Sequence, residues 1–231
     1  MIVRNLQSVR DRITTACVAA GRNPASVRLL AVSKTFSAQA VVDAMSDGQR
    51  AFGENYIAEG VEKIMALRGH VDHAELEWHC IGPVQSNKTR LVAEHFDWVQ
   101  SVDRLKIAQR LNEQRPPHLP PLQICLQVNA DGGANKSGVA PAELMMLVEE
   151  VIKLPRLRLR GLMMIPEPAI DFMAACALHS EARAIFNQVN SSGVLREAMD
   201  TLSMGMTADL EAAIESGSTM VRVGTAIFGG R

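Results

Sequence analysis

Lysines are the residues of this 231-residue chain whose positions first suggest chemistry. There are six of them: Lys34, Lys63, Lys88, Lys106, Lys136 and Lys153. Lysines within stretches of helical spacing, such as Lys63, are expected to be solvated. Lys34 differs because it directly follows the apolar run VRLLAVS, residues 27–33. This position predicts a side chain at the end of a buried strand, where a lysine is unusual.

An ammonium group at such a position is costly unless it has a partner, and burial favours its neutral form. A neutral amine attacks aldehydes and can form a Schiff base. Lys34 is therefore a candidate Schiff-base lysine. The alternative is that Lys34 pairs with a neighbouring carboxylate at the rim and has no chemical role.

Two glycine-containing loops near the end of the chain offer donors for an anion. They are Ser203-Met204-Gly205-Met206-Thr207 and Gly224-Thr225-Ala226. Each has a glycine for close backbone approach and a hydroxyl for a phosphate oxygen, although turns and helix caps explain either loop alone. Taken together with the strand-end lysine, the loops indicate an aldehyde that carries a phosphate. Pyridoxal 5′-phosphate (PLP) has both groups.

Arg222 adds a third feature, because it lies between Val221 and Val223, two residues before Gly224. In a strand of a barrel it points either inward or toward the helices. An inward Arg222 would reach the pyridine nitrogen of PLP. Its permanent charge would disfavour protonation of that nitrogen and weaken the ring as an electron sink. The alternative is a salt bridge inside the barrel.

Composition excludes several classes of protein. Lys and Arg number 24 against 25 Asp and Glu, so the basic excess typical of nucleic-acid binding is missing. No apolar stretch approaches the roughly 20 residues of a membrane span, and the charged start is unlike a signal peptide. The four cysteines are far apart and lack metal-ligand spacing. We expect reduced thiols, no metal site and a cytoplasmic location.

Apolar runs alternate with segments of helical spacing along the whole chain. The predicted strands are residues 27–33, 51–53, 77–82, 96–101, 122–129, 158–165, 201–204 and 220–223. Eight apolar strands, with a helix expected after each of the first seven, predict an all-parallel (β/α)8 TIM barrel as a single domain, residues 1–231. An open flavodoxin-like sheet is the alternative.

An additional helix, residues 3–20, opens the chain and is expected to fill the place left in the barrel wall beside the last strand. Ser37, Asp103 and Thr207 are predicted helix caps. A helix is predicted to start at Glu54, directly after the second strand, and another near Asn87. Pro141 suits the first turn of a helix.

Six motifs carry a resemblance to a known family. They are LLAVSKTFS (29–37), FGENYIAEG (52–60), WHCIGPVQSNKTR (78–90), RGLMMIP (160–166), LSMGMTADLEAAI (202–214) and GSTMVRVGTAIFG (217–229). In order along the chain, they closely resemble the pyridoxal phosphate homeostasis proteins, the YggS/PROSC family. The resemblance implies a fold type III PLP-binding barrel, similar to the barrel of alanine racemase.

The resemblance also implies a role for particular residues. It makes Lys34 the Schiff-base lysine and places Arg222 at the pyridine nitrogen. It places three residues around the phosphate: Ser203, Gly224 and Thr225. It sets Asn55 near the ring and suggests Met163 and His79 as pocket residues, which packing explains equally well. Lys136 matches a second lysine of relatives, whereas Phe36 stands where many relatives have a lysine.

Two classes of function compete. The first is a non-catalytic PLP carrier that takes part in PLP homeostasis, with no catalytic residues, and that serves PLP-dependent apo-enzymes. The second is a PLP-dependent racemase of the alanine racemase type, which needs a second acid/base group opposite Lys34. The only tyrosine is Tyr56, so the carrier is favoured, with weak racemase-like side activity left open. A lysine-dependent aldolase is a third option that leaves Arg222 unexplained. We expect a monomer that binds neither nucleic acid nor membrane.

Overall fold

A closed barrel of parallel strands forms the centre of the molecule. The computed structural model describes residues 1–70, 72–130 and 137–230, and in these ranges eight strands follow one another around the barrel in chain order. They are β1 (Arg28–Val32), β2 (Ala51–Glu54), β3 (Glu77–Cys80), β4 (Trp98–Val102), β5 (Leu122–Gln127), β6 (Leu157–Met163), β7 (Thr201–Ser203) and β8 (Met220–Val223). The barrel closes where Leu30 of β1 lies opposite Arg222 of β8. The predicted TIM barrel is confirmed.

Helices surround the barrel. They are α1 (Ile2–Ala19), α2 (Ala38–Met45), α3 (Ile57–Leu67), α4 (Thr89–His95), α5 (Leu105–Gln114), α6 (Pro141–Val151), α7 (Phe172–Ser191), α8 (Leu210–Glu215) and α9 (Thr225–Phe228). Over the described ranges a helix follows every strand, and α9 has only a single turn. None of the helices in these ranges combines the length and apolar character that crossing a bilayer requires.

The opening helix α1 completes the wall, as predicted. Its apolar residues, spaced three and four apart, are buried: Leu6, Val9, Ile13, Ala16 and Cys17. Asn5 donates a hydrogen bond to the carbonyl of Ile227 in α9, at 2.9 Å. Arg12 pairs with Glu211 of α8, also at 2.9 Å. The helix is therefore attached to the elements on either side of β8.

Some predicted helix starts are confirmed and others are wrong. Ser37 accepts the N–H of Ala40, and Pro141 is the first residue of α6. Asp103 does not cap α5, because its carboxylate is bound by the neighbouring Arg104 at 2.8 Å. Thr207 does not cap α8 either.

Three helices begin later along the chain than the sequence predicts. Helix α8 begins only at Leu210, after a turn in which Asp209 accepts the N–H of Met206 at 2.7 Å. The helix predicted from Glu54 begins at Ile57 instead, because Glu54 is the last residue of β2 and pairs with Cys80 of β3. The helix predicted near Asn87 begins at Thr89.

The strands have an apolar outer layer and a mixed interior. Most buried apolar side chains pack between the barrel and the helices. Two small apolar groups fall outside that layer, Leu30 with Ala51 and Met220, and Trp98 with Cys125 and Met163. Polar residues are also fully or almost fully buried on the strands: Glu54, His79, Gln100, Ser203 and Arg222. This buried polar set is where a site can form.

Gly161 allows two strands to approach closely. It lies in β6 beside a register shift in the pairing with β5, and it pairs with Thr201 of β7. A Cβ at this position would lie 1.6 Å from the carbonyl oxygen of Thr201. Backbone atoms cannot give way by that amount without separating the strands, so only glycine fits.

We expect Gly161→Ala to lower the free energy of unfolding by about 3 kcal/mol or more, because the methyl group must push β6 away from β7. Gly69→Ala is the matched control, since a Cβ there has no atom within 4 Å and should change stability by less than about 0.5 kcal/mol. Urea unfolding measures both variants. Equal stability of the two variants would contradict the packing argument.

Candidate functional site

Lys34 lies at the rim where the strands end, because the carboxyl ends of parallel strands meet on one side of a barrel. It follows the end of β1 by two residues and is half-buried. Strand β1 pairs with β8, and a Cβ at Gly224, directly after β8, would lie 3.1 Å from the carbonyl oxygen of Val32. Among the described residues, none forms a hydrogen bond or an ion pair with Nζ of Lys34. The predicted alternative of a carboxylate partner is therefore not observed there.

The backbone next to Lys34 is held in an unusual conformation. Thr35 has a φ of 67°, in the left-handed region that costs an L-residue about 1–2 kcal/mol. Its N–H donates to Oε1 of Glu59 at 2.5 Å, and the N–H of Phe36 donates to the carbonyl of Ser33 at 3.1 Å. The turn that contains Lys34 is thus tied to helix α3.

Lys63 is the second amine close to this turn, and all three of its protons are used. Nζ donates to the carbonyl of Ser33 at 2.7 Å, to Oε1 of Glu54 at 2.8 Å and to Oε1 of Glu59 at 2.6 Å. A nitrogen whose hydrogen bonds are all directed to fixed oxygens is not free to approach a ligand. Lys63 therefore holds the structure around Lys34 without competing with it chemically.

The prediction that Lys63 is solvated is wrong, because its side chain is only 6% exposed. The reason is the buried face of α3, whose other members are Ile57, Gly60, Ile64 and Leu67. Their spacing of three and four places residue 63 on the same face. This signal was present in the sequence and could have identified Lys63.

Glu54 is a buried carboxyl group within the same cluster. Burial raises its pKa, against the lowering effect of hydrogen bonds from Lys63 and Ser33. Its Oε1 receives both of those hydrogen bonds, while the buried Oε2 has no partner among the described residues. Glu54 is therefore a buried carboxyl group with one oxygen bound twice and the other unpaired among the described residues.

Arg222 points into the barrel, as predicted. Nη1 donates to Oγ of Ser203 at 2.7 Å, and Nη2 donates to the carbonyl of Met164 at 2.8 Å. Burial lowers its pKa to about 10, although Asp209 acts in the opposite direction, so the guanidinium stays charged near neutral pH. Within the described ranges the predicted alternative of an internal salt bridge is not found, since no carboxylate lies within 4.0 Å of its nitrogens.

A chain of hydrogen bonds continues from Arg222 through the barrel. Because Ser203 Oγ accepts from Arg222, its own proton goes to Oε1 of Gln100 at 2.6 Å. Nε2 of Gln100 donates to Nδ1 of His79 at 2.9 Å, which leaves Nε2 of His79 to donate to Glu77 at 2.7 Å. Burial lowers the pKa of His79, which agrees with a neutral ring. Each donor in this chain is therefore committed to the next member of the chain.

The chain of hydrogen bonds ends at an ion pair at the opposite end of the barrel, where the strands begin. Glu77 accepts from Arg28 at 2.6 Å. Burial alone would raise the pKa of Glu77, but His79 and Arg28 together lower it to about 2. Gln100 and Glu77 were not among the predicted site residues, although a polar residue within or at the start of an apolar strand is a recognisable signal.

Ser203 and the two predicted phosphate loops are placed differently. The hydroxyl of Ser203 is completely buried and has its single proton committed to Gln100, so the predicted phosphate contact lacks geometric support. Thr207 is better placed, because its Oγ1 lies 3.4 Å from Oγ1 of Thr225. Among described groups no acceptor binds the N–H of Thr207 or Thr225. The two loops thus meet and present free donors, as an anion site requires.

The remaining predicted site residues lie at different depths in the barrel. Asn55 is half-buried directly after β2, close to the rim. Met163 is fully buried beside Trp98 and Cys125. His79 stacks on Trp98 with ring centroids 5.0 Å apart, in the interior rather than at the rim, so it does not line an open pocket. Lys136 lies outside the described residues.

The part of the chain that the structure describes contains no group of three His, Cys, Asp or Glu residues able to hold a metal ion. Its four cysteines are free thiols. Burial raises the pKa of Cys80 and of Cys125 to about 12, so these two thiols are unreactive near neutral pH.

Comparison with known proteins gives consistent matches over the whole chain. Residues 4–231 match the family described as alanine racemase, N-terminal domain. The pyridoxal phosphate homeostasis protein of Pseudomonas aeruginosa is 55% identical over 230 residues, covering 100% of this chain and 96% of the relative. The protein of the same name from Escherichia coli K12 is 51% identical, with 100% and 97% coverage.

Solved structures agree. PipY of Synechococcus elongatus, determined with PLP bound, has a TM-score of 0.85 and 35% identity, covering 99% of this chain and 100% of that one. An alanine racemase from E. faecalis has a TM-score of 0.71 at 18% identity, covering 97% of this chain and 58% of the racemase. The second match shows the shared fold alone.

We expect Glu77→Gln to reduce the acid sensitivity of the fold. A depressed folded-state pKa contributes stability that is present above the ordinary value of 4.5 and is lost as the pH falls toward about 2. Between about pH 5 and about pH 3, the free energy of unfolding should fall by about 1–2 kcal/mol more in the wild type than in the variant. This range allows for solvent screening, because the Glu77 side chain is 31% exposed. Urea unfolding at each pH measures this, with Glu113→Gln on the exposed side of α5 as control. Parallel curves for wild type and Glu77→Gln would contradict the assignment.

Proposed function

This chain belongs to the pyridoxal phosphate homeostasis protein family, whose fold is the alanine racemase N-terminal domain, and we propose that it holds PLP without catalysing a reaction on it. The observation that carries the proposal is the amine of Lys34, which has no partner among the described residues and follows the strand that pairs with β8, the strand that leads into Gly224 and Thr225. The PLP-bound structure of PipY supports the same ligand.

The residues present suit the three reactive parts of PLP. The aldehyde would be held covalently through Nζ of Lys34. The phosphate would take the free N–H and hydroxyl donors of the loops that contain Thr207, Gly224 and Thr225. The pyridine nitrogen would face the guanidinium of Arg222, whose charge no described carboxylate neutralises. Asn55 would lie near the ring.

The chemistry favours holding over catalysis. When bound, PLP supplies an electrophilic aldehyde and a ring that can take up electrons. The ring takes up electrons well only when its nitrogen is protonated, and a fixed guanidinium opposes that proton. Because the pKa of Arg222 stays near 10, it remains a cation near neutral pH and keeps this effect. The Arg222 side chain therefore makes carbanion chemistry slow.

The alternative of an amino acid racemase needs a proton donor on the face of the substrate opposite Lys34. Tyr56 is the only tyrosine of the sequence. It is 53% exposed at the start of α3, and its hydroxyl has no hydrogen-bond partner among the described residues. A group held so loosely is a poor second acid, so we favour the carrier.

The cellular role follows from the same chemistry. A protein that binds PLP covalently and reversibly lowers the free aldehyde and can release it to PLP-dependent apo-enzymes. The free thiols agree with the proposed cytoplasmic location. The single-domain organisation, the monomeric state and the apo-enzyme partners remain predictions.

Borohydride reduces the C=N bond that an amine forms with an aldehyde to a stable C–N bond, so it should fix PLP permanently on Lys34. Mass spectrometry of peptides should find the label on Lys34 in the wild type and lose it in Lys34→Ala, which should still bind some PLP through its phosphate. Lys106→Ala, on the exposed side of α5, is the matched control and should label as the wild type does. Labelling of the wild type mainly at another lysine would refute the site.

Arg222→Glu should increase side reactions, because a carboxylate favours the protonated pyridine ring. With L-alanine, we expect sustained turnover by the wild type below about 1 s⁻¹, a typical lower value for enzymes. The folded, PLP-loaded variant should be at least about tenfold faster, which is modest for one favourable proton shift. Chiral chromatography measures the D-alanine formed, and Arg222→Gln controls for loss of the guanidinium alone. Wild-type turnover above about 1 s⁻¹ would favour the racemase. A rate in Arg222→Glu equal to that of the wild type would show that Arg222 does not weaken the ring as an electron sink.

A further inference from the structure

The turn that contains Lys34 needs an external constraint. Thr35 is the sole non-glycine residue with a positive φ among those described, and it directly follows Lys34. Its β-branched side chain makes the left-handed conformation especially unfavourable. The side chain of Thr35 is exposed, so packing of that side chain does not explain why the conformation persists. Strain of this kind persists only where surrounding contacts impose it.

Glu59 supplies the contact. Its Oε1 accepts the N–H of Thr35 at 2.5 Å and the ammonium of Lys63 at 2.6 Å. Lys63 also binds Glu54, which lies on β2, so the Glu59 carboxylate is itself fixed in place. A hydrogen bond from a backbone N–H to an ionised, immobilised carboxylate is stronger than one between neutral groups.

The other side of Lys34 is fixed as well. Ser33 donates its N–H to the carbonyl of Gly53 at 3.0 Å and its hydroxyl to Oε1 of Glu54 at 2.6 Å. Its carbonyl accepts from Lys63 and from Phe36. The backbone is therefore held before and after Lys34, while Nζ of Lys34 has no described partner. This arrangement orients the Cα–Cβ bond of Lys34 and leaves its amine free.

We propose that Glu59 is a positioning residue, which holds Thr35 in the left-handed conformation and thereby aims the Lys34 side chain at the aldehyde of the ligand. The proposal rests on the proposed function, in which Lys34 bonds that aldehyde. Glu59 touches neither the ligand nor the reacting atoms in this role. It acts through the backbone of residue 35 alone.

Glu59→Ala should slow covalent capture of PLP by about tenfold, because the turn relaxes and Lys34 is no longer aimed. Mixing with PLP and following the visible absorbance measures the rate, and borohydride trapping maps the site. Binding of pyridoxine 5′-phosphate should not change, because its alcohol cannot bond to an amine. A purely structural role would weaken both ligands equally and would overturn the proposal.

A second substitution tests the strain directly. Glycine adopts a positive φ freely, so Thr35→Gly should make Glu59 dispensable. We expect Thr35→Gly alone to capture PLP within about threefold of the wild type, and Thr35→Gly/Glu59→Ala to match Thr35→Gly. A double variant as slow as Glu59→Ala would show that Glu59 acts in another way.

Glu59→Gln separates the hydrogen bond from the ion pair, because an amide oxygen still accepts the N–H of Thr35. It should keep most of the capture rate, and it provides a folded variant if Glu59→Ala is unstable in urea unfolding. A Glu59→Gln variant as slow as Glu59→Ala would assign the effect to the charge and reject the proposal. Failure of the proposed function is distinguishable, since the wild type itself would then capture no PLP on Lys34.

Discussion

Closure of eight parallel strands into one small ring is the constraint on which the rest of the structure depends. It brings every carboxyl end to one rim and turns every second side chain inward, where space is limited and water is largely excluded. In this protein the interior includes a charged guanidinium, that of Arg222, held by Ser203 and by the carbonyl of Met164. A buried cation without a described carboxylate partner favours an electron-rich ligand at the open end of the barrel.

Two lysines near this rim have opposite environments. Lys63 gives all its ammonium protons to fixed oxygens and becomes part of the framework. Lys34, in the turn that this framework holds, keeps an amine with no described partner. In the proposed function, this difference would direct the aldehyde of the ligand to Lys34 and not to Lys63.

Much of the fold could be predicted because it follows from local sequence patterns. The apolar strands, the alternation with helices and the buried face of α1 follow from spacing alone, and the inward direction of Arg222 follows from the alternation within β8. The helix caps predicted at Asp103 and Thr207 were wrong because Arg104 binds the carboxylate of Asp103 and because α8 begins only after the turn that Asp209 closes. The prediction that Lys63 is solvated was wrong because it followed the usual behaviour of lysines, although the position of Lys63 on α3 indicated burial.

Periodicity and the order of elements are enough to predict the barrel, the lysine at the end of its first strand and the two glycine-containing loops, because each of these is a local pattern along the chain. The pairing of polar groups, in contrast, depends on the folded barrel. Ser203 binds Gln100, 103 residues away, and Lys63 binds Ser33, 30 residues away. Hydrogen bonds depend on distances of a few tenths of an ångström, and the closed ring of strands sets those distances, whereas neighbours along the chain do not.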